Sequence, residues 1–221
     1  MMRPDKYFET MKKRFGADKR TELYYTNEFT LALAVILSAQ ATDKHVNTVT
    51  PTLFKAADTP EKILKLGLEG LKEHIKSVSF FNNKAKNIMG LSQELAGLDI
   101  AQKDWRFPKK YHDRDALQRL PGIGRKTANV VGSILWGAPN IGVDTHVFRL
   151  AHRFGWANEA DNTPEKVERR LYGIVPKKYY AVANHLMVMH GRYICKARWP
   201  DCANCPAAKL CPCKSDNGGV K

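Results

Sequence analysis

The stretch Leu120-Pro121-Gly122-Ile123-Gly124-Arg125-Lys126-Thr127-Ala128-Asn129 decides the fold. A proline and two glycines within four residues break any regular element. Yet helical patterning lies on both sides. Residues 115–120 read as one helix, and a second begins near Arg125, with Ala128, Val131 and Leu135 at i, i+3 and i+7. The stretch is therefore helix, tight turn, helix. Such a turn exposes backbone N–H groups at the start of the second helix, where they hold a phosphate without any side chain. An ordinary helix–helix turn carries the same signature, so this segment alone leaves both readings open.

Outward from the turn, helices continue in both directions. Residues 29–39 read as a buried helix with Asn27 as its N-cap. Thr59-Pro60-Glu61 and Thr163-Pro164-Glu165 each place a cap, a first-position proline and an acid at a helix start. Stripes follow at Leu68, Leu71 and Ile75, and at Val167, Leu171 and Ile174. Val182, Leu186 and Met189 mark a further helix expected to stop at Gly191. Pro51 interrupts the helical stretch 43–54, where a kink or early break is expected. Residues 98–114 read as a long loop, and Gly137-Ala138-Pro139-Asn140 as a second break. No run alternates as a strand does, so the fold class is all-α.

Composition narrows the partner. The 221 residues carry 36 basic against 22 acidic side chains, a net charge of +14, which suits a polyanion better than a small neutral substrate. The apolar stretch 29–39 is too short for a bilayer, which needs about 20 residues. No secretory pattern opens the chain, so an intracellular protein without a membrane partner is expected. All five cysteines lie between residues 195 and 213. That clustering fits one metal centre rather than a disulfide framework. Cys195, Cys202, Cys205 and Cys211 are spaced C-x6-C-x2-C-x5-C, with Cys213 left over. Only one short pair is present, so the uneven loops suit an iron–sulfur cluster, with zinc as the competitor. Lys196 and Arg198 within the loop are cations able to touch phosphates.

Two further residues carry chemistry. Lys126 opens the second helix of the turn beside Arg125, where the positive end of the macrodipole and a cationic neighbour disfavour its ammonium form. A shift of about three units from the ordinary lysine pKa would make it a usable nucleophile; otherwise it is one more cation grasping a polyanion. Asp144, in Ile141-Gly142-Val143-Asp144-Thr145-His146, precedes the stripe Val147, Leu150, Ala151 and Phe154. It is an N-cap, worth about 1 kcal/mol, or a carboxylate supporting a cationic transition state. The two roles are compatible.

Taken together, the turn segment 120–129, Val143-Asp144-Thr145-His146 and the four cysteines resemble the endonuclease III family of helix-hairpin-helix DNA glycosylases. Leu37-Ser38-Ala39-Gln40-Ala41-Thr42-Asp43 and His190-Gly191-Arg192-Tyr193 are similar to that family's segments, and the likeness runs from about residue 20 to 211. The resemblance implies two helical domains flanking a DNA-binding cleft, with a helix-hairpin-helix motif and a C-terminal [4Fe–4S] loop. The domains expected are residues 21–137 (a helical barrel with the hairpin) and 1–20 plus 138–213 (the cluster domain), with 214–221 a disordered tail. Lys126 would attack the sugar C1′ and form a Schiff base, and Asp144 would support the oxocarbenium ion and later proton transfers. Gly122, Ile123, Gly124 and Arg125 would hold the DNA backbone, joined by Thr145, His146, Lys196 and Arg198. Gln40 would fill the gap left by the extruded base. The four cysteines would ligate the cluster.

The expected function is excision of oxidised pyrimidines from duplex DNA, then nicking of the abasic site by β-elimination, by a monomer complete in one chain. A monofunctional thymine, uracil or adenine mismatch glycosylase, or a non-catalytic zinc or iron–sulfur DNA-binding protein, are the alternatives. Where the family often has a glycine-leucine-tyrosine wedge, this chain has Ser79-Phe80-Phe81. Phe80 is read as the wedge, because a ring replaces a lost stacking partner, and Phe81 as wedge or core.

Overall fold

The computed structural model describes residues 1–16, 21–98 and 104–213. Among these, all regular structure is helical: α1 (Pro4–Phe15), α2 (Glu28–Ser38), α3 (Asp43–Ala56), α4 (Pro60–Ile75), α5 (Phe81–Leu95), α6 (Arg114–Gln118), α7 (Arg125–Trp136), α8 (Thr145–Arg153), α9 (Pro164–Ile174) and α10 (Tyr180–Tyr193). The chain divides into two compact units, Glu22–Trp136 and Met1–Thr21 with Gly137–Lys221. None of the described helices is long and apolar enough to cross a membrane. The tail read at 214–221 lies outside the described residues.

In the Glu22–Trp136 unit, α2 is the central element. Residues 29–37 are all buried, as expected of a helix that is apolar around its whole circumference. Its start is a full capping box: the Asn27 side chain accepts from Thr30 N at 2.8 Å, and Thr30 Oγ1 accepts from Asn27 N at 2.9 Å. α3, α5 and α7 pack around it. Pro51 does not end α3, which stays helical from Asp43 to Ala56. Val46 is buried on one side of the proline and Leu53 and Phe54 on the other, and this packing outweighs the single backbone bond that proline removes. The interruption lies instead in α4, whose backbone turns at Gly67 (φ +74°). The loop 104–113 is anchored by Trp105 and Phe107, both buried; Phe107 N donates to Glu28 Oε2 at 2.8 Å.

The second unit is built on α1, α8, α9 and α10. The N-terminal segment, not read as a helix from sequence, forms α1 and buries Tyr7, Phe8 and Met11. Phe8 stacks on Trp156 and Tyr179, and Trp156 Nε1 donates to Met2 O at 2.7 Å. α10 does not stop at Gly191 but continues to Tyr193. A Cβ at Gly191 would stand 3.0 Å from His146 Cβ and 3.1 Å from Arg149 Nη2. The glycine is there to let α8 approach α10, whose buried face comprises Ala183, Leu186, Met187 and His190; of the expected stripe Leu186 is buried, Val182 packs half-buried against the core, and Met189 is half-buried.

Candidate active site

Between α6 and α7 the chain makes the tight turn read from sequence. Gly122 has φ +76°, a left-handed conformation open to glycine. A Cβ there would lie 2.8 Å from Asn87 Cβ and 3.3 Å from Ile36 Cδ1, so the missing side chain lets the turn seat on α5 and α2. Pro121 closes against Gly90 of α5 in the same way. Ile123 is 3% exposed and its N–H donates to Leu120 O at 3.1 Å, so its side chain anchors the turn in the core. Gly124 is exposed, and its carbonyl accepts the N–H of Ala128 at 2.9 Å, which makes it the first residue to cap α7. Arg125 is half-buried, and Lys126, second residue of α7, is exposed.

Asp144, in the other unit, is the N-cap of α8. Oδ1 accepts from both His146 N and Val147 N at 2.9 Å, and Oδ2 stands 3.6 Å from His146 Nδ1. The carboxylate is thus clamped by one oxygen while the other faces a titratable ring. Thr145 is exposed and His146 half-buried.

The opposite end of α8 holds the cysteine loop. Arg149 Nη2 donates to Gly191 O at 2.9 Å and Cys195 O at 3.1 Å. Arg153 Nη1 donates to Lys196 O at 2.7 Å and approaches Cys195 Sγ at 3.3 Å, while its Nη2 donates to Ala197 O at 3.1 Å. Burial pulls the Arg149 pKa down, with Arg153 beside it acting the same way. Cys195, Cys202, Cys205, Cys211 and Cys213 are not joined in disulfides and line one cavity. His190 reaches into that wall. Its Nδ1 is 3.1 Å from the Tyr7 hydroxyl, and its Nε2 is 3.3 Å from Cys205 Sγ. Burial lowers His190 to about 4, and lifts Tyr7 well above its ordinary value. His190 thus links the Tyr7 hydroxyl on one ring nitrogen to the Cys205 sulfur on the other. Burial also pushes the Cys205 thiol up to about 11. Lys196 and Arg198 are exposed, and between Arg198 and Pro200 Trp199 stands 90% exposed with φ +55°.

Residues 33–177 match the model of the HhH-GPD superfamily, described as base excision DNA repair proteins. The chain belongs to that superfamily. Endonuclease III of Rickettsia conorii (strain ATCC VR-613 / Malish 7) is 52% identical over 207 residues, covering 94% of this chain and 94% of the relative. Endonuclease III of Escherichia coli (strain K12) is 43% identical over 194 residues, 88% of each chain. A solved structure described as a trapped endonuclease III–DNA covalent intermediate superposes with a TM-score of 0.82 at 41% identity, covering 94% of this chain and 93% of that one. Within the superfamily, then, this chain is of the endonuclease III family, as the motif combination implied.

In this HhH-GPD protein the two remaining sequence candidates lie in the Glu22–Trp136 unit. Gln40 follows α2, is exposed, and has φ +54°; Phe80 precedes α5, is 61% exposed, and has φ +58°. Phe81 is half-buried and packs against the core. Several residues escaped the sequence reading. Arg149 and Arg153 are spaced i, i+4 on one face of α8, a pattern that marks a shared contact. Tyr7 and His190 are 183 positions apart, and no local signal joins them. Lys84 is buried at 6% exposure, which nothing in its neighbourhood distinguishes from other surface lysines.

Proposed function

We propose that the protein is a bifunctional DNA glycosylase and abasic-site lyase of base excision repair, acting on oxidised pyrimidines in duplex DNA with Lys126 as its nucleophile. The observation that carries this reading is the exposed amine of Lys126 in the first turn of α7, directly after a glycine turn seated for backbone contact. A phosphate held by the turn brings the deoxyribose within range of that helix start. With the base extruded, the sugar C1′ is attacked by Nζ of Lys126. The C1′–N bond breaks, and its electron pair departs with the base. The Asp144 carboxylate stabilises the positive charge that develops on the sugar, a role for which a fixed oxygen is better than a mobile one.

Ring opening then gives a C1′ imine on Lys126. The imine acidifies the C2′ proton. Its removal expels the 3′ phosphate by β-elimination, and the strand is nicked. Base extrusion costs a few kcal/mol and is cheapest at damaged pairs. Gln40 and Phe80, exposed in two sequence-separated turns, are suited to replacing the lost base and its stacking partner. The basic surface, with Lys196 and Arg198, supplies affinity through counterion release and no lesion choice.

The cysteine cavity fits a [4Fe–4S] cluster. Five cysteines line one cavity, and the four in the C-x6-C-x2-C-x5-C spacing suit a cube of iron and sulfide. Cys195, Cys202, Cys205 and Cys211 would hold it, and Arg153 and His190 would give N–H bonds to two of the sulfurs. When bound, such a cluster supplies a rigid anchor for the loop and a one-electron centre. Every group named belongs to one chain, so a monomer suffices.

A panel of duplexes, each with a single lesion, tests the reading. Release of oxidised pyrimidines coupled to nicking supports it; base release without nicking would favour a monofunctional enzyme, and binding without turnover a non-catalytic DNA-binding protein. A zinc centre would make the protein colourless, and iron and sulfide analysis separates the two.

A further inference from the structure

The last four carbonyls of α2 have no partners within their own helix, and each is met. Ser38 Oγ donates to Val35 O at 2.9 Å, Ala39 N to Ile36 O at 3.3 Å, and Ala41 N to Ser38 O at 3.1 Å. Leu37 O is met from another helix, by the buried ammonium of Lys84 at 2.7 Å, which also donates to Ala39 O at 2.6 Å. The last turn of α2 carries no basic residue of its own, so Lys84 brings the cation that a helix C-terminus favours. Burial draws its pKa down, which is a cost the fold accepts for some return.

That return lies in what the two bonds hold. Ala39 precedes Gln40. The backbone N–H of Lys84 donates to Phe80 O at 3.1 Å. One residue is therefore a single bond away from each of two exposed, non-glycine residues in left-handed conformation, Gln40 at φ +54° and Phe80 at φ +58°. Such conformations cost about 1–2 kcal/mol each and persist where the surroundings over-determine them. A second tie runs parallel: His45 Nε2 bonds Ser77 O at 2.9 Å, linking α3 to the turn before Phe80.

We propose that Lys84 is a positioning residue for base extrusion: its ammonium locks the turn after α2 onto the first turn of α5, so that Gln40 and Phe80 meet the duplex as one preset pair. Preset, the pair enters the stack without first ordering two separate loops. The inference rests on the reading of Gln40 and Phe80 as gap-filler and wedge given above.

The test compares wild type with Lys84→Met, which keeps the stem and removes the charge, and Lys84→Arg, which keeps a donor and a charge. Two substrates are used: a duplex lesion, which needs extrusion, and a single-stranded abasic oligonucleotide trapped with borohydride, which does not. A 2-aminopurine opposite a tetrahydrofuran abasic analogue reports wedge insertion by its fluorescence. Lys84→Met should slow the duplex reaction about 10- to 100-fold and abolish the fluorescence change, while single-strand trapping stays within about threefold of wild type. Lys84→Arg should recover part of both. Unchanged duplex rate and fluorescence in Lys84→Met overturn the proposal, as does an equal loss on both substrates, which would mark Lys84 as a packing residue of the whole unit. Should Lys84→Met melt below the assay temperature, Lys84→Gln carries the same comparison. Gln40→Ala and Phe80→Ala separate the two readings. If both keep the full fluorescence change, the wedge assignment itself fails, whatever Lys84 does.

Discussion

Replacing Asp144 by asparagine and by alanine separates its capping role from its charge. Oδ1 accepts two backbone N–H groups at 2.9 Å. An asparagine keeps a carbonyl oxygen there and is as good an N-cap as aspartate. What Asp144→Asn removes is the negative charge at the helix start, worth about 0.3–1 kcal/mol. Asp144→Ala removes the cap as well, worth about 1–2 kcal/mol, so the alanine protein should melt about 2–4 °C lower per kcal/mol lost. Stability therefore ranks wild type, asparagine, alanine, with the larger step last. Catalysis ranks differently. If the charge stabilises the developing cation and assists proton transfer, both variants should lose about 10²- to 10⁴-fold in single-turnover rate on duplex abasic DNA. The measurements are thermal melts and single-turnover nicking on the same preparations. An asparagine variant with near-wild-type rate beside a slow, destabilised alanine variant would refute the reasoning, because the carboxylate would then act as a cap alone.

Gly122→Ala should destabilise the Glu22–Trp136 unit by more than the roughly 1–2 kcal/mol of a left-handed alanine, since its Cβ would meet Asn87 Cβ at 2.8 Å. Melts and DNA titrations should fall together, and a neutral result would remove the close-approach argument. Arg153→Ala deletes the bonds to Lys196 O, Ala197 O and Cys195 Sγ, so the loop should release iron faster under chelator than wild type, with the nicking rate of the still-loaded fraction little changed. Equal iron loss would show that the arginine does not brace the loop. Gly191→Ala forces His146 Cβ and Arg149 Nη2 back from contacts of 3.0 and 3.1 Å. It should cost about 1–3 kcal/mol and, by moving α8, slow nicking as well; an unaffected melt would mean that α10 shifts freely.

Local rules carried much of this molecule. Asn27, Thr59 and Thr163 each cap the helix whose start they signalled, because capping depends on a few adjacent atoms. The apolar run 29–39 announced a buried helix for the same reason, and its buried part is 29–37. Gly191 was misread because glycine ends a helix and also lets two helices touch, and only the partner, α8, decides between them. The early break read at Pro51 does not occur, because packing by Leu53 and Phe54 outweighs one lost bond. Of the candidate site, the turn at Gly122 and the cysteine spacing were legible as compact patterns. The burial of the Ile123 side chain was not legible, since burial of one residue in a turn depends on what the turn rests upon. Lys84, Tyr7 and Arg153 act on partners 43 to 183 positions away, and their types alone do not distinguish them from solvated residues.

The central claim is that the ε-amine of residue 126 becomes covalently joined to the sugar. Borohydride added during reaction with duplex DNA holding a single abasic site should yield one cross-linked species, with the adduct mapped to Lys126 by peptide mass analysis, and Lys126→Ala should yield none while still binding that duplex. Cross-linking that persists in Lys126→Ala, or an adduct mapped to another lysine, would contradict the account.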